Sequence, residues 1–309
     1  MTSVIKLGLV GFGKIAHDQH LPAIARTPGV ELVAVASRHA KAEGVRNYAD
    51  VDAMLAAEPD LDAVAMCQPP QARYEAAHKA LAAGKHVFLE KPPGATLSEV
   101  EALMALAEVQ GVTLFASWHS RHAACVAQAR AWLEGRTLRK AAIVWKEDVR
   151  HWHPGQTWIF EAGGFGVFDP GINALSILTE IVRDPILVTG AELETPSNRA
   201  APIAATLALT TASGAPIAAV FDWRQTGPQT WDISVETDEG EILLSSGGAK
   251  LSIDGVPQDC EEEGEYPSLY RHFVDLVRTG RSDVDLAPLR LVADAFLSGR
   301  FRTTDPFDE

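Results

Sequence analysis

The chain has 309 residues, 47% of them hydrophobic and 22% charged, which is typical of a soluble globular protein with one large or two smaller domains. Its 41 acidic and 27 basic side chains give a formal net charge of −14, which disfavours binding to nucleic acid or to anionic membranes. No apolar run is long enough to cross a bilayer, and the start, MTSVIKLGLVGFG, is typical of a strand rather than of a signal peptide.

From the N-terminus to about residue 120, short apolar runs alternate with helical segments. The runs are VIKLGLVG, ELVAVAS, DAVAMCQ, HVFLE and TLFASWH. Because these runs are continuously apolar, both faces of their sheet are expected to be covered, as in a parallel sheet with helical crossovers. The pattern predicts an α/β domain with a parallel sheet over residues 1–120.

Beyond residue 121 the pattern changes to long runs separated by hairpin-type turns. The runs are RKAAIVWKED, ILVTGAELET, IAATLALTTASG, PIAAVFDWRQTG, WDISVETDEG, EILLSSGG and AKLSIDG. The turns SGAP, DEGE and IDGV favour antiparallel pairing, so these runs predict a meander, and two helical segments follow it. Residues 121–309 are therefore expected to form an α+β domain with a large, mostly antiparallel open sheet. The pattern leaves open whether the C-terminal helix packs on the first domain.

The three cysteines, Cys67, Cys125 and Cys260, lie far apart and form no CxxC pair. Such spacing favours separate thiols in a reducing compartment over a disulfide scaffold or a zinc site. We therefore expect a cytoplasmic protein.

The turn after the first strand carries a G-x-G-x-x-A fingerprint formed by Gly11, Phe12, Gly13, Lys14 and Ile15 with the alanine that follows. Its position between a strand and a helix is the one that dinucleotide binding requires, because the glycines let a pyrophosphate approach the backbone at a helix N-terminus. An ordinary tight turn is the alternative, and the strand–helix units that follow favour the cofactor. The sequence thus predicts a Rossmann-type dinucleotide-binding domain.

The end of the second strand indicates which dinucleotide is preferred. Proteins that bind NAD usually place an acid there, whereas this chain has Ser37 and Arg38, with Lys41 close behind. A hydroxyl and a guanidinium suit a ribose 2′-phosphate. We expect NADP to be preferred and NAD tolerated, the alternative being that Arg38 is only a solvated surface charge.

Two further motifs place acids and bases at element ends. GKHVFLEKPPG puts Glu90 and Lys91 at the carboxyl end of a buried strand, where ligands bind in open parallel sheets; a surface ion pair closing a loop is the alternative. In GGFGVFDPGIN, Asp169 suits a helix N-cap, Pro170 suits the first helical position, and Asn173 lies one turn further on the same face. Locally, Asp169 could be a helix cap and nothing more.

Together, AGKHVFLEKP, GLVGFGKIA and GGFGVFDPGIN resemble the Gfo/Idh/MocA oxidoreductases over essentially the whole chain. The resemblance implies that Lys91 lies between nicotinamide and substrate and that Lys91 and Asp169 are the catalytic residues. Asn173 falls where many members carry an acid/base histidine, so the resemblance assigns it to sugar binding without proton transfer. The aldose 1-dehydrogenase branch carries an amide here; it oxidises the anomeric C1 of aldopyranoses such as L-arabinose or D-galactose to a lactone.

The resemblance also extends the cofactor and sugar sites. Gln68 and Pro69 align with a Thr-Pro pair of the family. Together with Cys67 before them and with Glu90 and Lys91, they complete the expected cofactor contacts. Aromatic and polar groups near the second motif supply the expected sugar contacts, in addition to Lys91, Asp169 and Asn173: His119, Glu147, Trp152 and His153. For the aromatic residues, core packing is the alternative.

No metal is expected, because the two histidines that flank Trp152 lack a third ligand at a recognisable spacing. The expected partner is a small-molecule sugar, and family members commonly pair into homodimers through the sheet of the second domain. Two other functions are open. An inositol or other cyclic polyol dehydrogenase is disfavoured by the missing histidine at position 173, and a non-catalytic regulator that binds sugar and cofactor is disfavoured by the presence of both Lys91 and Asp169.

Overall fold

A computed structural model describes residues 4–261 and 263–308 of the chain. The chain divides into two compact units. The first comprises residues 1–119 and 263–286, and the second comprises residues 120–262 and 287–309. Residues 263–286 therefore belong with the N-terminal part of the chain, although they follow the second sheet in sequence.

The fifteen strands of the described residues fall into two sheets. In chain order they are β1 Ile5–Val10, β2 Val30–Ala36, β3 Arg46–Tyr48, β4 Ala63–Met66, β5 His86–Glu90, β6 Leu114–Ser117, β7 Leu138–Lys146, β8 Ile186–Pro196, β9 Ala204–Thr211, β10 Pro216–Asp222, β11 Thr230–Thr237, β12 Gly240–Ser245, β13 Lys250–Ile253, β14 Val256–Gln258 and β15 Arg300–Thr304.

Nine α-helices lie within the described ranges. They are α1 Leu21–Arg26, α2 Val51–Ala57, α3 Tyr74–Ala82, α4 Leu97–Gln110, α5 Val126–Leu133, α6 Val149–Trp152, α7 Phe168–Ile181, α8 Glu265–Thr279 and α9 Ala287–Ser298. A π-helical turn, Ala16–His20, leads into α1, and short 3₁₀ turns occupy Pro70–Ala72, His119–His122, Thr157–Phe160 and Ser246–Gly248.

The first unit is built on a six-stranded parallel sheet in the order β3-β2-β1-β4-β5-β6. Both faces are buried, as the continuously apolar strands predict. On one face, α2, α3 and α4 help to bury a core that includes Met54, Leu81 and Leu103. On the other face, α8 contributes Tyr270 and Phe273 to the core. Chain order reverses between β1 and β4, which is where open sheets of this kind bind ligands.

The second unit is built on a nine-stranded, mostly antiparallel sheet in the order β14-β13-β12-β11-β7-β10-β9-β8-β15. The two sheets confirm the predicted fold class. The predicted simple meander is wrong, however, because β7 inserts between β11 and β10 and runs parallel to β10. The edge strand β15 also pairs in parallel, with β8. The hairpin turns fix local pairing only, so they could not reveal where β7 would enter.

Residues alternate across this second sheet. Inward positions such as Ile143, Trp145 and Phe221 are buried, and α5, α7 and α9 contact strands of the sheet. Outward positions such as Val144 and Ala218 are exposed on the opposite face. The sheet therefore has one covered face and one open face.

The cysteines differ from the expectation of three separate thiols. Cys125, directly before α5, forms a disulfide with Cys260, whose Cα lies 5.3 Å from that of Cys125 and 135 residues along the chain. Cys67 is free and buried. Spacing could not predict this pairing, because the fold brings the two residues together after a complete sheet has been traversed.

No helix among residues 4–261 and 263–308 combines the length and the apolar character that a bilayer crossing demands.

Candidate active site

The turn after β1 is shaped by a close approach of two strands. Gly11 has φ +89°, and a Cβ there would lie 2.8 Å from the backbone nitrogen of Gln68, beyond the end of β4. Only glycine satisfies both the left-handed conformation and the close contact. A Cβ on Gly13, in contrast, would meet no atom within 4 Å. The turn therefore holds β1 against β4 and leaves open space in front of the second glycine.

Of the other residues of the fingerprint, Lys14 and Ile15 are exposed, whereas Phe12 is partly buried against the core of the first unit. Lys14 forms an ion pair with Asp18 one turn later, and Phe12 packs edge-on against the ring of His17 at 6.4 Å between centroids. Ile15 is 36% exposed. The chain then widens into the π-helical turn, a feature that is frequent at functional sites.

The end of β2 presents the residues expected to distinguish the two dinucleotides. The backbone N–H of Ser37 donates to the carbonyl oxygen of Tyr48 at 2.9 Å, which ties the strand end to β3. Arg38 and Lys41 are exposed. A hydroxyl on a fixed strand end, followed by two exposed cations, suits a 2′-phosphate.

The end of β4 carries Cys67, Gln68 and Pro69. The Cys67 N–H donates to the carbonyl of Val10 at 2.8 Å, which extends the pairing between β1 and β4 into the turn. The amide oxygen Oε1 of Gln68 is shielded from solvent and has no hydrogen-bond partner among the described residues. A buried acceptor packed against the glycine turn at Gly11 fits a bound dinucleotide, which carries hydrogen-bond donors.

Lys91 follows β5 and has its backbone held on both sides. The carboxylate Oε2 of Glu90 accepts from the Lys91 N–H at 2.6 Å. The guanidinium of Arg73, 2% exposed, donates to the carbonyl oxygens of Glu90, Pro92 and Gln68. The Lys91–Pro92 peptide is cis. These bonds fix the position of the Lys91 backbone in the first unit.

Glu90 belongs to a buried polar cluster that we call the Glu90 cluster: His20, Glu90, Tyr266 and Tyr270. Glu90 Oε1 accepts from the Tyr266 hydroxyl at 2.6 Å and lies 3.2 Å from His20 Nε2. The other ring nitrogen of His20, Nδ1, is 2.6 Å from the Tyr270 hydroxyl. His20 and Glu90 are 0% and 3% exposed, so each must be compensated within the cluster.

The cluster favours a charged pair. Burial raises the pKa of Glu90, but the hydrogen bond from His20 and the charges of His20 and His119 outweigh burial and lower it to about 2. Burial lowers the pKa of His20, but neighbouring Cys67, Tyr270 and Glu90 outweigh burial and raise it well above its ordinary value. Both shifts favour the charged forms of His20 and of Glu90, the residue before Lys91.

His119 lies at the end of the first unit and rests on the same cluster. Its ring stacks on Tyr266, with 5.6 Å between centroids and 21° between planes, and its Nδ1 is 2.6 Å from Oε2 of Glu265. Both partners come from the start of α8. His119 is therefore positioned by long-range contacts within the unit.

In the second unit, Glu147 follows β7 and is 4% exposed. Its two carboxylate oxygens accept from indole N–H groups: Oε1 from Trp223 at 3.1 Å and Oε2 from Trp231 at 2.8 Å. Two tryptophans orient this predicted sugar contact.

His153 lies between two of the predicted site acids. Its Nε2 is 3.6 Å from Asp169 Oδ2 and 3.9 Å from Glu147 Oε1, and its Nδ1 is 3.4 Å from Oε1 of Gln156. The ring packs against Trp223 at 5.2 Å between centroids. The structure therefore brings Glu147, His153 and Asp169 together.

Asp169 lies in the first turn of α7, 6% exposed. The predicted cap is wrong, because α7 begins at Phe168 with Val167 as the N-cap, and no side-chain cap bond is present. The glycines upstream explain the shift: the Asp169 N–H donates to the carbonyl of Gly166 at 2.9 Å, so the chain is already helical when it reaches the aspartate. An acid in the first helical turn is stabilised in its charged form.

Asn173 is half-buried in α7, four residues after Asp169, so the two lie on the same face of the helix one turn apart. Its carbonyl oxygen accepts from the Ser176 hydroxyl at 2.7 Å.

Trp152 provides an aromatic surface at the edge of this group. It is 38% exposed and packs on Trp231 at 5.2 Å between centroids, and Trp231 stacks on Trp145 at 5.9 Å. An exposed indole backed by two others can bind the apolar face of a sugar ring. No group of three metal-ligating side chains was found among the described residues.

Comparisons with known proteins identify the family of the chain. The model of the oxidoreductase family with an NAD-binding Rossmann fold, Gfo/Idh/MocA, matches residues 5–117. A galactose 1-dehydrogenase from Pseudomonas fluorescens is 48% identical over 303 residues, which cover 98% of each chain. The chain belongs to the Gfo/Idh/MocA family of NAD-binding oxidoreductases.

Solved structures show the same relationship. A D-galactose 1-dehydrogenase from Rhizobium etli is 60% identical, with a TM-score of 0.96 over 100% of this chain and 99% of that one. A 3-ketoreductase from Actinomadura kijaniata, solved in complex with TDP-benzene and NADP, shares the fold with a TM-score of 0.83 at 20% identity, over 98% of this chain and 100% of that one.

Several residues that organise the site were not predicted to do so. Arg73, His20 and Tyr266 hold Lys91 and His119, and Trp223 and Trp231 hold Glu147. Arg73 carried a weak signal, since a basic residue in a strand–helix connection is a candidate ligand for nearby carbonyls. The others lie inside helices or strands or, for Trp223, directly after a strand, where no local pattern separates them from ordinary core residues.

Proposed function

We propose that the protein oxidises the anomeric C1 of an aldopyranose, with galactose as the favoured substrate, to the aldonolactone, using NADP or NAD as hydride acceptor. The observation that carries the proposal is the high sequence identity, over nearly the whole chain, to two proteins named as galactose 1-dehydrogenases. L-Arabinose has the same ring stereochemistry as D-galactose without the C6 carbon, and we include it in the expected substrate class.

The chemistry assigned to the second unit is proton transfer and sugar binding. The Asp169 carboxylate takes the proton of the C1 hydroxyl as the hydride leaves C1, which balances the oxidation of the alcohol to the lactone carbonyl. His153, 3.6 Å from Asp169 Oδ2, orients that carboxylate. Asn173 binds the sugar as a hydrogen-bonding amide without taking up a proton, and Glu147 binds its hydroxyls.

The chemistry assigned to the first unit is cofactor binding and polarisation of the C1 oxygen. The turn Gly11–Gly13, the end of β2 and the Gln68 amide would hold the dinucleotide, which supplies the hydride acceptor when bound. Lys91, with its backbone fixed by Glu90 and Arg73, polarises the C1 oxygen as its proton leaves. His119 contributes a further sugar contact.

A panel of substrates tests the proposal. Purified protein is mixed with NADP or NAD and with D-galactose, L-arabinose, D-xylose or myo-inositol, and the absorbance of reduced nicotinamide is followed. Turnover with the aldoses and release of a lactone support the assignment. Turnover with inositol alone would make the protein a polyol dehydrogenase, and binding of sugar and cofactor without turnover would make it a regulator.

The preference for NADP is tested at Arg38. Replacing Arg38 by Ala should weaken NADP binding by roughly 10–100-fold, because a charge-assisted hydrogen bond contributes about 1.5–3 kcal/mol. NAD affinity should change little, since NAD lacks the 2′-phosphate. Both affinities are measured by fluorescence titration, with Arg139→Ala, an exposed arginine of the second unit, as the control. Equal losses for both dinucleotides would contradict the assignment.

A homodimer is proposed through the open face of the second sheet. Small and apolar residues meet there across neighbouring strands: Ala142 pairs with Ala218, Val144 with Val220, and Ala218 with Ala208. Such a surface packs closely against a second copy of itself.

Light scattering after size exclusion tests the dimer. The wild type should have twice the chain mass, and Val144→Lys should shift it to the monomer, because a charge would be buried in the interface. Val109→Lys makes the same substitution at an 80% exposed position on α4, and this variant should remain dimeric. A monomeric wild type would refute the proposal.

A cytoplasmic location remains a prediction. The disulfide between Cys125 and Cys260 is the observation that argues against a strongly reducing compartment. Fractionation of cells, followed by counting free thiols in the protein from each fraction, decides the question.

A further inference from the structure

The Glu90 cluster contains more charge and more hydrogen bonds than the fold of the first unit requires. Four polar side chains, His20, Glu90, Tyr266 and Tyr270, converge on one buried point. Buried ion pairs are a weak source of stability, because desolvation offsets their attraction, and apolar side chains of equal volume often serve as well. A role in positioning explains their presence better than a role in stability.

The bonds made by Glu90 point toward Lys91. One carboxylate oxygen accepts a hydrogen bond from the Tyr266 hydroxyl and faces His20. The other oxygen accepts from the N–H of Lys91 itself at 2.6 Å. Arg73 holds the carbonyl groups on either side of Lys91. The Glu90 carboxylate thus holds the N–H of Lys91, and the Arg73 guanidinium holds the carbonyl groups of the residues before and after it.

The cluster also reaches His119 and the cofactor turn. Tyr266, which donates to Glu90, presents its ring to His119 at 5.6 Å between centroids. His20 ends the π-helical turn that begins at Ala16, the last residue of the glycine fingerprint. One buried cluster therefore contacts the segment after the cofactor turn, the residue before Lys91 and a predicted sugar contact.

We propose that the Glu90 cluster is a positioning device for Lys91 and His119, with the Glu90 carboxylate as its centre. The inference rests on the proposed function for the role of Lys91 in turnover. Glu90 is thus a positioning residue. In this proposal the expected cofactor contact at this position is made by the backbone next to Glu90, and its buried carboxylate does not touch the cofactor.

The groups that face this carboxylate set the pH range in which the pair is intact. Facing Glu90 are His20, His119, Tyr266 and Tyr270, while Cys67 faces His20 and Glu265 faces Tyr266. Because the pKa of Glu90 is lowered to about 2, its contribution is present above its ordinary value of 4.5 and is lost as pH falls toward 2. Because the pKa of His20 is raised, its contribution is complete below 6.5 and is lost as pH rises through the folded-state value.

Glu90→Gln tests the proposal, because glutamine keeps the shape but removes the charge and places an N–H₂ group against one of the donors. We expect kcat for aldose oxidation to fall roughly 10–100-fold, as is usual when a supporting partner is lost, while the Kd for NADPH changes less than about threefold. Hydrogen exchange gives a reading that does not depend on turnover. The Lys91 amide should lose protection, and Pro92 and Pro93 have no amide to obscure it.

Asp283→Asn is the matched control. Asp283 pairs with His272 at 2.7 Å in the same unit, outside the cluster, and its replacement should leave kcat and exchange at Lys91 unchanged. Should Glu90→Gln fail to fold, Tyr266→Phe removes a single donor and decides the matter by the same two measurements.

Slower turnover together with faster exchange at Lys91 supports the proposal. Wild-type kcat and wild-type protection in both variants would overturn it. If the wild type turns over no aldose, the proposed function fails on its own. The exchange of the Lys91 amide then still decides whether the cluster positions that residue.

Discussion

Replacing Asp169 by Asn is expected to lower kcat for aldose oxidation by roughly 10²–10⁴-fold, the contribution of a positioned general base. The substitution keeps the size of the side chain and the start of α7, so the loss reports on the proton acceptor and not on folding. NADPH affinity should stay within a few-fold of the wild-type value, because Asp169 belongs to the second unit and the cofactor fingerprint to the first. Stopped-flow absorbance of NADPH formation measures the effect.

Asn173→Ala provides the contrast one helical turn away. Loss of a neutral hydrogen bond of about 0.5–1.5 kcal/mol should raise KM for the sugar by roughly 2–12-fold, while kcat changes much less. Circular dichroism of both variants verifies that α7 is intact. If both substitutions abolish turnover alike, the division between proton transfer and sugar binding is wrong.

Gly166→Ala is expected to destabilise the second unit by about 3 kcal/mol, since overpacking and a left-handed conformation each contribute on the order of 1–3 kcal/mol. Gly166 has φ +53°, and a Cβ there would lie 2.2 Å from the carbonyl oxygen of Pro202 and 2.8 Å from its nitrogen. That carbonyl cannot move freely, because it accepts from the N–H of Val167 at 2.7 Å. The strained chain would also displace Asp169, so kcat should fall as well.

Gly163→Ala separates conformation from crowding. Gly163 has φ +83°, but a Cβ there would meet no atom within 4 Å, so only the conformational term of about 1–2 kcal/mol applies. Urea unfolding followed by tryptophan fluorescence compares the two variants. Equal destabilisation would show that crowding against Pro202 contributes nothing.

The sequence was sufficient for the fold class, because apolar runs and turn residues are local signals. It was insufficient for β3, β14 and β15, which are short edge strands with polar or mixed residues. Their pairing depends on a neighbouring strand and leaves no periodicity of its own. The parallel insertion of β7 beside β10 has the same origin, since strand order is settled by packing between distant segments.

For the candidate site, too, some features could be predicted from the sequence and others could not. Glycine, acid and amide positions in the two motifs could be identified because each occupies a strand end or a helix start. The environment of those residues could not be identified. Glu147 is held by Trp223 and Trp231, 76 and 84 residues away, and Glu90 is held by Tyr266, 176 residues away. Side chains that meet only through tertiary structure leave no spacing in the sequence.

The motif GGFGVFDPGIN combines two requirements. Its glycines allow the close backbone contacts that start α7, and that start places a buried acid in the first turn, beside His153. A helix start two residues earlier than predicted still leaves Asp169 in the first turn of α7, where the backbone N–H groups have no partner further back in the helix. The structural and chemical roles of the motif are therefore compatible.

The discontinuous first unit bears on how the protein is made. Helix α8 buries Tyr270 and Phe273 in the core of the dinucleotide-binding sheet, yet residues 265–279 leave the ribosome only after the whole of 120–262 has been synthesised. Until then one face of the N-terminal sheet lacks the part of its cover that α8 provides, and this nascent half has to remain soluble while the second sheet emerges. Translation speed through that middle segment therefore sets how long the apolar face is open to chaperones or to other nascent chains.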